Sequence, residues 1–194
     1  MHVLPNPELY MALVHFPVIN KNGETIASAV TNLDLHDMAR SCRTYGVRGL
    51  FVVTPLEDQK RLVERISGHW TAGLGARHNP DRKEAFSLIR LSHDLEEAVL
   101  AVEKIHGQQP IVVVTTAKFS ENAISHEALR EILAGGQPCL LVFGTAWGLA
   151  ESLLLSADKV LEPVRGTASY NHLSVRSAAA ILLDRLVGHG LEGR

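Results

Sequence analysis

Three short runs of nearly pure hydrophobic character constrain this chain most: GLFVVT at 49–54, IVVVTT at 111–116 and CLLVF at 139–143. A strand with one wet face alternates apolar and polar residues. These runs do not, so both of their faces must be covered, as in a parallel sheet. Between them lie segments with helical period. Leu35, Met38, Ala39, Cys42 and Tyr45 share one helical face, and so do Leu95, Ala98, Val99, Val102 and Ile105. The alternation predicts an α/β fold, a mostly parallel sheet flanked by helices.

The expected order is a strand over 9–18, a turn at Lys21-Asn22-Gly23, and a helix with Asn32 as N-cap and Gly46 as its stop. Pro17 makes the first strand end early or lie at an edge. Then follow strand 49–54, helix 57–70, strand 86–91, helix 93–106, strand 111–116, helix 125–133, strand 139–143, helix 147–155, strand 159–161 and helix 171–187, capped by Asn171. The stretch GHWTAGLGARHNPDR at 68–82 reads as a long loop because of its glycines and proline.

A length of 194 residues suits one domain over 1–194, and 46% hydrophobic with 21% charged residues excludes a disordered chain. No apolar run approaches the roughly 18–20 residues of a bilayer crossing. The N-terminal MHVLPNPELY lacks the basic-then-apolar pattern of a secretory signal, so the expected location is cytoplasmic. Cys42 and Cys139 lie far apart without CxxC spacing and read as small core residues. The ten histidines are scattered without HExxH, so no metal is expected. A net charge of −2 does not advertise a nucleic-acid binder, although charge distribution matters more than the sum.

Ligands of open parallel sheets bind beyond the carboxyl ends of the strands, so the loops after Thr54, Thr116, Phe143 and Leu161 are the candidates. No early GxGxxG, no GxxxxGK[ST] and no GxSxG occurs. That weakens a nicotinamide or flavin oxidoreductase, a P-loop hydrolase and a nucleophile-elbow hydrolase. The informative segments are late. LVFGTAWGL at 141–149 is a strand running into a glycine turn, and YNHLSVRSAAAILL at 170–183 is a polar turn running into a helix rich in small residues. Gly144 would let a ligand approach the backbone.

Together these two segments resemble the last two motifs of the SPOUT superfamily of S-adenosylmethionine-dependent RNA methyltransferases. ARSCRTYGVRGLFVV at 39–53 is similar to the first motif, an arginine helix ending in an aromatic-glycine pair before an apolar strand. Within the superfamily the likeness is to a small bacterial group of tRNA guanine-N1-type or RNA methyltransferases. The resemblance implies a deep C-terminal trefoil knot, one of the rare exceptions to unknotted chains. It also implies S-adenosylmethionine (AdoMet) as cofactor, a tRNA or rRNA substrate, and a homodimer formed through the knot helices. Carried over, Thr115, Thr116, Gly144, Thr145, Gly148, Leu161, Pro163, Leu173 and Ser174 would bind the methyl donor. Arg40, Asn171 and His172 would serve catalysis: Arg40 through its planar guanidinium on phosphate or developing charge, His172 as a base, Asn171 in shaping the site. Glu162 could meet the donor's ammonium group.

The chain departs from the ribose-methylating members. Thr145, Ala146 and Trp147 stand where many of them carry Pro-Glu, His172 stands where they tend to have Asn, and Asn32 lies further from Arg40 than usual. The acceptor atom is therefore open. The missing carboxylate supports an alternative, a catalytically silent AdoMet- and RNA-binding module of the same fold. RNA contact would draw on Arg40, Arg43, Arg48, Arg77, Arg82, Arg165 and Arg176, with His69, Trp70 and His78 offering stacking surfaces.

Overall fold

The computed structural model describes residues 7–168 and 170–188. Among the described residues, nine strands and eight helices follow in chain order. They are β1 (Leu9–Val14), β2 (Val18–Ile19), β3 (Thr25–Ile26), α1 (Asn32–Thr44), β4 (Leu50–Val53), α2 (Glu57–Thr71), α3 (Leu74–His78), α4 (Pro80–Phe86) and β5 (Ile89–Ser92). They continue with α5 (Leu95–His106), β6 (Ile111–Thr115), β7 (Ala123–Ile124), α6 (His126–Ala134), β8 (Cys139–Gly144), α7 (Glu151–Ser156), β9 (Lys159–Leu161) and α8 (Val175–Val187). Seven strands form one sheet in the order β5-β4-β1-β8-β6-β9-β7. Its pairings are parallel throughout.

The continuous apolar runs have the expected cause. Leu9, Met11 and Leu13 enter one core, while Tyr10, Ala12 and Val14 enter the other. Leu50 and Val52 are likewise separated from Phe51 and Val53, and Cys139, Leu141 and Phe143 from Leu140 and Val142. Alternate side chains leave the pleat on opposite faces, so a strand covered twice must be apolar at every position. The first face carries α1, α4, α6 and α8, through Leu35, Phe86, Leu129 and Leu183 among others. The second carries α5, through Ala98 and Val102, with Leu153 and Leu154 of α7 packed against it. Both cysteines are free and buried in the core, and burial pushes the Cys139 thiol up to about 12.

Several boundaries differ from the sequence reading. The first strand ends at Val14, and Val18–Ile19 instead pairs antiparallel with Thr25–Ile26 around the turn at Gly23. Thr31, not Asn32, caps α1 by accepting from the Asp34 amide. The strand expected from 86 begins at Ile89, because Phe86 closes a helix. Residues 68–82 are not a loop. They finish α2, form α3 and enter α4, whose start is fixed by Asn79 accepting from the Arg82 amide, with Pro80 in the first turn. The glycines there serve packing. A Cβ on Gly75 would meet the Trp70 ring at 2.7 Å and the His69 ring at 2.8 Å.

The C-terminal third also departs from expectation. The helix expected over 147–155 starts at Glu151. The last helix starts at Val175 with Ser174, not Asn171, as its cap. The connectivity there carries the chain across the sheet. β9 lies between β6 and β7, although β7 precedes it by many residues. The segment before it, α7, packs on the second face, and the helix after it, α8, packs on the first.

Candidate functional site

A crevice of about 1150 Å³ opens at the carboxyl ends of β6, β8 and β9. The β6–β7, β8–α7 and β9–α8 loops wall it, and residues of the β2–β3 hairpin and the segment leading to α1 close its side. This is where an open parallel sheet leaves room for a ligand.

The β8–α7 loop is folded tightly on itself. Thr145 NH donates to Val14 O at 3.2 Å, Gly148 NH to Thr145 O at 3.0 Å, and Trp147 NH to Ile19 O at 3.1 Å. Ile19 NH donates back to Gly148 O at 2.9 Å, so the loop is zipped to β2. Ala146 and Gly148 both have positive φ, 53° and 110°. A Cβ on Gly144 would lie 2.6 Å from Leu149 N and 2.9 Å from Gly148 C. Gly144 therefore makes room for the loop's own backbone, where the sequence reading gave that room to a ligand.

Beneath the loop is a chain of hydroxyls whose direction can be worked out. Thr145 Oγ1 lies 2.9 Å from Val14 O and must donate to it, since a carbonyl has no proton. Its 2.5 Å contact with Ser28 Oγ is then donated by Ser28, and Ser28 accepts from His15 Nδ1 at 3.0 Å. The imidazole thus carries its proton on Nδ1. Its Nε2 is buried with no partner among the described residues. Burial pushes the His15 pKa down to about 4, partly opposed by Asp34.

Arg176 reaches from α8 to α1. Its Nη1 donates to Asp34 Oδ1 at 3.1 Å, and its Nε lies 3.3 Å from Asp37 Oδ2. Thr31 Oγ1 donates to the other oxygen of the buried Asp34 at 2.6 Å. Opposite, Glu162 Oε1 takes the His126 backbone NH at 2.9 Å and lies 2.8 Å from His126 Nδ1. Burial lowers the His126 pKa, against the pull of Glu162.

The crevice gathers Thr115, Thr116, Gly144, Thr145, Gly148, Pro163, Leu173 and Ser174, together with Asn171 and His172. Leu161 is fully buried in β9 behind the lining. Asn171 Nδ2 donates to Ala117 O at 3.2 Å and so ties two walls together. His172 stands edge-on to the Trp147 ring at 5.8 Å. Arg40 is not brought into this crevice. It lines a neighbouring hollow of about 480 Å³ between α1 and α8, with Tyr45, Asp37 and Arg176. Trp70 is not offered to a ligand either, since it packs against His36 and Phe86 with Arg82 over its ring. Arg43 and Arg48 are paired with Glu84 and Glu8.

Sequence reasoning missed Ser28, Thr31 and Asp34 as part of the site, and offered Arg176 for RNA contact without its pairing to the α1 carboxylates. Thr31-x-x-Asp34 before an apolar helix is a capping signature that would have drawn attention to the first turn of α1. Nothing local links it to Arg176, which is 142 residues away.

Residues 8–188 match a family described as SAM-dependent RNA methyltransferase. The chain belongs to that family. It is similar to a tRNA (guanine-N(1)-)-methyltransferase of Nitratidesulfovibrio vulgaris, 48% identical over 184 residues, covering 95% of this chain and 43% of that protein. It thus spans less than half the length of the curated relatives bearing that name. An uncharacterized protein of Aquifex aeolicus is 37% identical over 185 residues, covering 95% of this chain and 90% of that one. Among solved structures, the SpoU methyltransferase AviRb of Streptomyces viridochromogenes, in complex with AdoMet, superposes with a TM-score of 0.55 at 20% identity. That likeness covers 98% of this chain and 62% of that one, and it speaks for the fold alone.

Proposed function

We propose that the protein transfers a methyl group from AdoMet to a tRNA or rRNA nucleotide, with the donor held in the crevice above β6, β8 and β9. One observation carries the reading. The zipped glycine loop faces a β9–α8 loop whose Val164, Asn171, His172 and Leu173 line the crevice, and the main-chain N–H groups of these four have no acceptor among the described residues. Unpaired N–H groups at the edge of a crevice are ready donors for the edge of a purine. Glu151, Asp34 and Glu162 bring carboxylates to the same walls, which suits a ligand with a sulfonium and an ammonium group. The volume of about 1150 Å³ exceeds the roughly 300–1,000 Å³ of single small-molecule sites and leaves room for an acceptor nucleotide.

AdoMet supplies a methyl group already activated on sulfur. The chain's own work is to hold the acceptor in line with it and to take the acceptor's proton. His172, at the mouth, is the candidate for the proton, with Asn171 holding its loop to Ala117. Arg40, in the hollow between α1 and α8, is the candidate for phosphate. Thr115, Thr116, Gly144, Thr145, Gly148, Leu161, Pro163, Leu173 and Ser174 form the donor pocket, Leu161 through its backbone.

We read the C-terminus as a trefoil knot. In support, the chain enters β9 from the face of α7, passes between β6 and β7, and leaves toward α8 on the other face. β6 and β7 are joined by their own loop, so that passage threads a closed ring. A homodimer through the knot helices and a cytoplasmic location accompany this reading. Among the described residues no helix is long and apolar enough to cross a membrane.

Calorimetric titration with AdoMet tests the donor site, with a dissociation constant on the order of 10 μM expected, about −7 kcal/mol. Incubation of bulk tRNA and rRNA with methyl-tritiated AdoMet, followed by nucleoside analysis, reads the acceptor atom. Donor binding without transfer, beside an active control enzyme, would favour the binding-only module.

A further inference from the structure

Of the ten Phe, Trp and Tyr side chains, four are exposed: Phe16, Phe119, Trp147 and Tyr170. Three of them stand on the three loops that wall the crevice: Trp147 lines it, and Phe119 and Tyr170 adjoin the lining residues Lys118 and Asn171. Phe119 is 71% exposed on the β6–β7 loop, Trp147 57% on the β8–α7 loop, and Tyr170 77% on the β9–α8 loop. Two of the rings share a neighbour. Trp147 meets His172 at 5.8 Å, and Tyr170 meets the same imidazole at 5.9 Å. Arg165 lies over Phe119 at 5.3 Å, and Lys118 immediately precedes that ring on its loop. Single exposed rings are ordinary, but a cluster drawn from three separate loops marks a binding surface. The core gains nothing from these rings.

We propose that this rim is the docking surface for an unpaired nucleotide of the RNA, its base stacked on Trp147 and its neighbouring phosphate held by Arg165 and Lys118. The proposal rests on the reading that the crevice serves RNA methylation, and it specifies the substrate further: single-stranded or extruded, not paired. In a duplex the base faces are covered by their neighbours, so an aromatic platform cannot reach them. Every base has a π-face, so such a platform tolerates sequence while cations track the backbone. Arginine and lysine beside open rings favour a polyanion over an apolar partner.

The test is fluorescence anisotropy with a labelled 12-nucleotide unstructured RNA and with the same strand annealed to its complement. The single strand is expected to bind at least tenfold more tightly. Trp147→Ala should weaken single-strand binding roughly 5- to 100-fold, the range that loss of one base stack gives, while Trp147→Phe restores most of it. Arg165→Gln should flatten the logarithmic salt dependence by about 0.7, one phosphate of a single strand. Melting temperatures of these variants should match wild type, since the side chains lie outside the core. Equal affinity for strand and duplex, or an unaffected Trp147→Ala variant, overturns the proposal. So does a dimer in sedimentation equilibrium that Trp147→Ala turns into monomer, because the rim is then a self-contact. AdoMet titration of the wild type in parallel separates the two claims. Discrimination between strand and duplex without AdoMet binding would sink the methyltransferase reading and leave this one standing.

Discussion

His15, beneath the β8–α7 loop, makes the fold sensitive to acid, and the size of the effect follows from its burial. The imidazole is fully buried, it donates to Ser28, and its pKa is pushed down from 6.5 to about 4. The unfolded chain therefore takes up a proton near pH 6.5 that the folded chain refuses until about pH 4. The stabilisation is complete above pH 6.5 and is lost as pH falls through that interval. The full span is roughly 3 kcal/mol, and about 2 kcal/mol of it is gone by pH 5. His15→Asn keeps a side-chain N–H for Ser28 but does not titrate. Urea unfolding of both proteins at pH 7.5, 6 and 5 isolates the residue, because every other titrating group is common to both. The wild type should lose about 2 kcal/mol more than the variant between pH 7.5 and 5. AdoMet affinity of the folded protein should hold over the same interval in both proteins, since the folded imidazole stays neutral until about pH 4. Parallel stability profiles for the two proteins would refute the burial argument.

Gly144→Ala places a methyl 2.6 Å from Leu149 N, and forcing the loop apart should cost about 1–3 kcal/mol, read as a lower denaturant midpoint, with AdoMet affinity falling more than tenfold. Arg176→Met leaves the buried Asp34 carboxylate with Thr31 as its remaining described side-chain partner. It should cost about 1–3 kcal/mol, most of it recovered by adding Asp34→Asn; a double variant no better than the single one would show that the pair does not act as a unit. Hydrogen exchange should show the amides of 164–168 and 170–173 fast in the free protein and slowed by saturating AdoMet. Protection confined to other loops would move the donor site.

What could be read from the chain followed a physical rule, and what could not followed another. The parallel sheet was legible because double burial removes every polar residue from 50–53 and from 139–143, a mark that needs no knowledge of partners. Helix positions were legible where one apolar face recurs, as in Leu95–His106. Residues 68–82 misled because glycine has two uses. Gly75 is present so that Trp70 and His69 can lie against the backbone, and composition alone does not separate that from flexibility. The caps misled by one to three residues because Thr31, Asn32, Asn171 and Ser174 all have capping chemistry, and only the backbone path selects among them.

The site shows the same division. Its two late loops were legible because each is written in a continuous stretch of sequence. Its early half was not, because Ser28 and Asp34 gain their meaning only from Thr145 and Arg176, which lie 117 and 142 residues further on. Long-range pairing of this kind follows from where β9 sits. Inserting it between β6 and β7 carries the chain from the face of α7 to the face of α8, and so brings α8 down beside α1. Arg176 then meets Asp34 and Asp37, and Ser174 and His172 face Gly148 across the crevice. With α8 on the other face of the sheet, Arg176 could not reach the carboxylates of α1 and the crevice would be one wall short. The passage of β9 is thus a requirement of the site as much as of the fold.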